Sequence, residues 1–162
     1  MMLGPARYPD RAQWQTLHDW VARGRALVFA ARHQDPAVAL EPFGIRVVPA
    51  TAALLEPTNP PLENEASGFV TDLGADFDTD LEVDWISAGE VRSEASDVSV
   101  TLSVDGSPQV MWRPIGDGVV VVVASDYIFT NRSLATEGHG LLAFRILESA
   151  SPQGSVYFDE EM

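Results

Sequence analysis

Short apolar runs separated by polar turns mark out the chain, and the most apolar of them is Val119-Val120-Val121-Val122-Val123-Ala124, between Gly116-Asp117-Gly118 and Ser125-Asp126. Five successive β-branched residues disfavour a helix, and a run without polar alternation has no solvent face. It therefore predicts a strand buried on both sides, of the kind found inside α/β sheets. Upstream, Met2-Leu3 reads as the tail of a strand entering a loop. Asp10 then caps a helix running to Arg23, with Trp14, Leu17, Val21 and Ala22 on one face and Gly24 at the C′ position. Ala26 to Ala30 is a short apolar strand. Asp35-Pro36 is expected to open a short helix through Leu40 that Pro42 stops, and Gly44 to Val48 is a further strand. Helix, strand, helix, strand in close succession is the rhythm of a parallel sheet with right-handed crossovers.

Residues 51–67 are rich in proline and polar groups and are expected to form an exposed loop. From Asp76 to Trp85 polar and apolar positions alternate, predicting a strand with Phe77, Leu81, Val83 and Trp85 on the core and five carboxylates opposite. Val98 to Val104 and Gln109 to Arg113 alternate on either side of Asp105-Gly106, a hairpin pattern. A largely apolar helix is expected over 137–149, and Gly154 to Phe158 closes the chain as a strand before Asp159-Glu160. The fold class these elements predict is α/β. It is a flavodoxin-like three-layer sandwich with a mostly parallel central sheet and an antiparallel hairpin insertion, forming one domain over residues 1–162. Because the pattern opens on the end of a strand, the chain is expected to be a piece lacking its first strand.

Composition narrows the chemistry. The 162 residues hold no cysteine, which removes thiolate nucleophiles, and all ten basic residues are arginine, which removes Schiff-base and P-loop lysines. Residues 51–100 carry one arginine against twelve acids, and the whole chain has a formal charge of −14. Such a surface repels phosphate backbones and anionic membranes, so neither nucleic acid nor direct membrane insertion is expected. No run of about 18 apolar residues is present, so the chain is read as soluble as given.

The C-terminal third, with Gly116-Asp117-Gly118 before the valines, Ser125-Asp126, Asn131, an apolar helix and Phe158-Asp159-Glu160, resembles a bacterial family, domain of unknown function 4350. The N-terminal third agrees through Gly4-Pro5, Leu17, Trp20-Val21, Arg23-Gly24 and Pro42-Phe43-Gly44-Ile45. The resemblance implies a class I glutamine amidotransferase-like fold and a relation to the gliding-motility auxiliary component GldG. It further implies an uncharacterised or non-enzymatic module of membrane-anchored proteins, sited near AAA+ ATPases or transporters. Two departures stand out: Gly138-His139-Gly140 replaces the family's usual Asp-Asn pair, and Met162 ends the sequence where members tend to continue with histidine and glycine.

The cysteine-dependent activity of the glutamine amidotransferase fold is excluded by composition, and Ser125 in Val-Ala-Ser-Asp-Tyr does not form a Gly-x-Ser-x-Gly elbow. His18, His33 and His139 lack zinc-ligand spacing and read as surface or capping residues. The candidate ligand-binding residues are Asp126, Asn131, Asp159 and Glu160. If the valine strand and the last strand are parallel neighbours, Asp126 and Asp159 leave the sheet at one edge and could share a cation or a polyol. The competing reading makes Asp126 and Asn131 turn caps and Asp159-Glu160 solvated charges. The acidic row from Asp76 to Asp84 reads as protection of an exposed edge strand, because carboxylates about 6.5 to 7 Å apart along a strand cannot all reach one ion. The four tryptophans read as core. The expected function is a ligand-binding or protein-interaction module of a membrane-associated assembly, without cofactor or catalysis. The alternative is a metal-assisted hydrolase of carbohydrate or phosphate acting through Asp126, Asp159 and Glu160.

Overall fold

A computed structural model gives the architecture, and it describes residues 1–50, 66–69, 82–104, 106–135 and 137–150. The first unit is a strand, β1 (Met2–Leu3), a helix, α1 (Arg11–Ala22), and a strand, β2 (Ala26–Ala30). Asp10 and Gln13 form a capping box at the start of α1, each side chain bonding the other's backbone N–H, and Gly24 follows the helix in the left-handed region at φ +91°.

The valine run is β10 (Gly118–Val123), and it lies in the middle of a five-stranded sheet. Its partners are β2 on one side and β9 (Ser107–Ile115) on the other. β1 completes the sheet beyond β2, and β8 (Ser99–Val104) beyond β9. Burial on both faces follows the pleat. Val120, Val122 and Ala124 join a cluster with Trp14 and Val21 of α1, whereas Val121 and Val123 join a second one with Leu142 and Ile146 of α3 (Glu137–Ala150). One strand therefore supplies both cores, each enclosed valine contributing about 1.5–3 kcal/mol of apolar burial.

The predicted mostly parallel sandwich is not what forms. β10 runs parallel to β2, and β2 to β1, but β10 pairs antiparallel with β9, and β9 with β8. The sheet is mixed. The reason lies in the Gly116-Asp117 turn between Ile115 and Gly118, because so short a link joins only antiparallel neighbours. The Asp105-Gly106 hairpin is thus part of the main sheet rather than an insertion into it. The helix expected from Asp35 to Leu40 is instead a strand, β3 (Val38–Leu40), in which Val38 and Leu40 are buried and Ala39 is exposed. With β4 (Ile45–Pro49) and β7 (Gly89–Ser93) it forms a separate antiparallel three-stranded sheet. This sheet packs with α1 on one face of the larger one, through Leu40, Phe43, Ile45, Val47 and Val91. A short antiparallel pair, β5 (Ala66–Phe69) with β6 (Glu82–Trp85), carries the described end of the acidic strand, so the predicted loop over 51–67 gives way to strand at Ala66 and Ser67. The remainder of that loop, the acidic row from Asp76 to Asp80 and the last strand lie outside the described residues.

The helix predicted for 137–149 forms as α3. Of the tryptophans, Trp14 and Trp85 are core and Trp112 is half-buried, but Trp20 is exposed, a correction to the expectation that all four serve the interior. No helix among the described residues is long and apolar enough to cross a membrane.

Candidate functional site

Because β1, β2 and β10 are parallel, their carboxyl ends open onto one rim, where Gly4, His33 and Asp126 follow the three strands. Gly4 N–H donates to Ala30 O at 2.9 Å and Ala31 N–H donates to Val123 O at 3.0 Å, so the three exits are tied together by main chain. Asp126 Oδ1 then accepts the backbone N–H of His33 at 2.9 Å and lies 2.8 Å from His33 Nδ1. A carboxylate only accepts, so His33 Nδ1 is the donor in this contact.

Glycine is required opposite this pair. A Cβ on Gly4 would stand 1.9 Å from Asp126 Oδ2, and Gly4 has φ +46°. The ring of Tyr127 meets His33 at 6.4 Å and 69°, and His139 at 6.0 Å and 73°. His139 is a core residue rather than the surface or capping group expected: it is 2% exposed, with Nδ1 2.9 Å from Ser133 Oγ.

Ser125 is equally enclosed. Its hydroxyl donates to Ile86 O and accepts from Tyr127 N–H at 3.1 Å, so it clamps the rim rather than serving as a nucleophile. The chain between β6 and β7 runs over the same rim, where Ala88 N–H donates to His33 O at 2.8 Å, Ser87 Oγ is 3.4 Å from Ala124 O, and Trp85 Nε1 donates to Gln109 Oε1 at 2.7 Å.

Beside the pair lies a second polar group. Tyr8 Oη donates to Asp35 Oδ2 at 2.6 Å and accepts from Arg32 N–H at 3.2 Å, while Arg32 Nε donates to the same carboxylate oxygen at 3.0 Å. Burial, followed by the Asp35 carboxylate, pushes the Tyr8 phenol up to about 12. The Tyr8 hydroxyl, and after it the Arg32 guanidinium, hold Asp35 below its ordinary value. A phenol whose folded pKa is raised stabilises the fold fully below its unfolded value near 10, and that contribution is lost as pH rises towards about 12. A tyrosinate absorbance titration should therefore show one phenol ionising near pH 12, and Tyr8→Phe should remove that late step. If all three tyrosines titrated together near pH 10, the Tyr8–Asp35 contact would be wrong.

Of the four residues singled out from sequence, Asp126 lies on the rim, but its partner is His33, 93 positions away and expected to be a surface group. Asn131 is the exposed first residue of α2 (Asn131–Leu134), whose N-cap is Thr130. Nor does Asp126 cap through its side chain. Asp159 and Glu160 lie outside the described residues. His33 was missed because a histidine in a loop carries no periodic signal; its position just beyond an apolar strand was the available cue. Among the described residues no three His, Asp or Glu side chains are grouped to hold a metal ion.

A family model described as Domain of unknown function (DUF4350) matches residues 1–147. No curated protein matches the sequence. Among solved structures, the mmIFT52 N-terminal domain superposes with a TM-score of 0.69 at 15% identity, over 96% of this chain and 77% of that one. This likeness is one of fold, and it sets the mixed-sheet architecture apart from a parallel flavodoxin-like sandwich. The exo-β-1,4-mannosidase Op5Man5 from Opitutaceae bacterium strain TAV5 aligns over 90% of this chain and 22% of its own, with 17% identity and a TM-score of 0.43.

Proposed function

We propose that this chain, which belongs to the DUF4350 family, is a ligand-binding or protein-interaction module without catalysis of its own, and that His33 and Asp126 are its contact point. The observation that supports this is the rim geometry. Two polar side chains from distant parts of the chain are fixed to each other at the strand ends, and both stay partly exposed, His33 at 32% and Asp126 at 19%. A membrane-associated setting, alongside a transporter or an AAA+ ATPase, is supported by the family resemblance. One feature favours a second reading: a histidine oriented by a carboxylate through Nδ1 is also the base-and-orienter half of a hydrolase.

Two measurements on the purified protein separate these readings. Amide-resolved NMR titration with polyols, amino acids, nucleotides and the ions Ca²⁺, Mg²⁺ and Mn²⁺ should move resonances of His33 and Tyr127 for at least one class. Incubation with ester, amide, glycoside and phosphomonoester substrates should give no turnover. Turnover that disappears in Asp126→Asn would overturn the non-catalytic reading.

A further inference from the structure

On the exposed side of the three-stranded sheet lies a groove of about 390 Å³, and nothing about it depends on the rim. Across β3, β4 and β7 the residues Ala39, Arg46 and Arg92 stand opposite one another in register. Directly opposed side chains of an antiparallel pair start about 4.5–5.5 Å apart, and like charges so placed repel. Each arginine therefore needs an anion. Arg92 Nε donates to Glu90 Oε1 at 2.7 Å and its Nη2 meets the same atom; the Glu90 side chain is only 3% exposed, so this guanidinium is anchored. Arg46 Nη2 donates to Glu94 Oε1 at 3.0 Å, but the Glu94 side chain is 86% exposed. An ion pair so open to water is worth about 0–1 kcal/mol and is readily exchanged. Nη1 of both arginines makes no hydrogen bond among the described residues. Ala39 and Ala95 line the groove with methyl groups alone, which leaves room beside the guanidiniums, and Glu41 is the remaining charged group in the lining.

We infer that this groove binds a carboxylate carried on a small apolar body, with Arg46 and Arg92 as its anchors and Glu94 as a built-in stand-in that the ligand displaces. Glu94 already shows the chemistry that Arg46 accepts, and a planar guanidinium fork matches a carboxylate. A phosphate would set a second negative charge against Glu41, Glu94 and a chain of −14, so the singly charged group fits better.

The test is amide-resolved NMR titration of the whole chain with 3-phenylpropionate, its neutral counterpart 3-phenylpropionamide, and acetate. The acid should shift the resonances of Arg46, Arg92 and Ser93 with an affinity at least about tenfold above that of the amide, the ratio expected for one charge-assisted bond. Acetate should bind more weakly than 3-phenylpropionate. Glu94→Gln frees Arg46 and should raise the affinity about two- to fivefold. Glu41→Gln removes the same charge from the groove without freeing an arginine and should raise it less. Arg46→Gln should lose about tenfold or more; should that variant unfold, the acid-against-amide ratio and the contrast between the two glutamate variants decide. Acetyl-Gly-Phe with a free carboxyl terminus separates the sources: tighter binding than 3-phenylpropionate assigns the carboxylate to a polypeptide end, equal or weaker binding to a free acid. Equal affinity for acid and amide, a Glu94→Gln variant that binds no better than Glu41→Gln, or shifts only elsewhere on the molecule would overturn the proposal. Equal affinity for acetate would overturn the apolar body and keep the carboxylate. The His33 and Tyr127 resonances report on the rim separately, so either site can fail alone.

Discussion

Gly118→Ala is expected to lower stability by about 3 kcal/mol or more, enough to leave a small domain marginal. The cause is space rather than dihedral preference. A Cβ at this position would lie 2.0 Å from Val21 O, 2.2 Å from Arg25 O and 2.8 Å from Arg25 N. All three are main-chain atoms, and none is free to step aside: Val21 O already accepts from Gly24 and Arg25 N–H, and Arg25 O accepts from Val119 N–H at 3.0 Å. This is the point where the central strand enters between the end of α1 and the start of β2, so any widening would separate both. Gly106→Ala is the control. Gly106 has φ +79° but nothing within 4 Å of a Cβ, so only the left-handed strain, about 1–2 kcal/mol, should register. Urea unfolding of the two variants measures the difference as a midpoint shift at unchanged slope. Equal losses would mean that the α1–β2–β10 junction is looser than described.

Phe29→Ala should cost about 3–5 kcal/mol, for a different reason. Phe29 is fully buried in β2, with Met2 and Val122 as its cross-strand partners. Its ring meets that of Trp14 edge-on, at 5.3 Å and 76°, and that of Tyr8 at 6.1 Å. It therefore joins the helix to the sheet, and truncation leaves a cavity between the two. Phe29→Leu, which refills most of that volume, should cost under about 2 kcal/mol. The contrast between the two in thermal or urea unfolding checks the assignment, because a peripheral ring would give small losses for both.

The site was only partly legible. Asp126 was found because a charged residue directly after a buried strand sits at a rim by construction. His33 obeys the same rule after β2, yet its strand, Ala26 to Ala30, is short and its role depends on β2 and β10 being neighbours. That pairing joins residues more than ninety positions apart, and no local pattern encodes it. Asn131 was grouped with Asp126 through proximity in sequence; the 3₁₀ turn Tyr127–Phe129 intervenes, and Thr130 takes the capping role instead. The helix expected from Asp35 to Leu40 failed for a related reason: Asp-Pro opens helices and strands alike, and three alternating residues are too few to show a period of two. The antiparallel partner β4 decided the outcome.

Sequence by itself determined those features in which local chemistry leaves one choice. These are the capped helix from Asp10, the two-sided strand at Val119 to Val123, the Asp105-Gly106 hairpin, the largely apolar helix α3, and the exclusion of cysteine and lysine chemistry. Tertiary structure alone decided that β10 also pairs in parallel with β2, that β3, β4 and β7 form a sheet of their own, and that Asp126 meets His33. Burial and turn propensity act over a few residues and are written into composition. The order and direction of strands depend on which distant hydrophobic faces enclose each other best, a property of the whole chain.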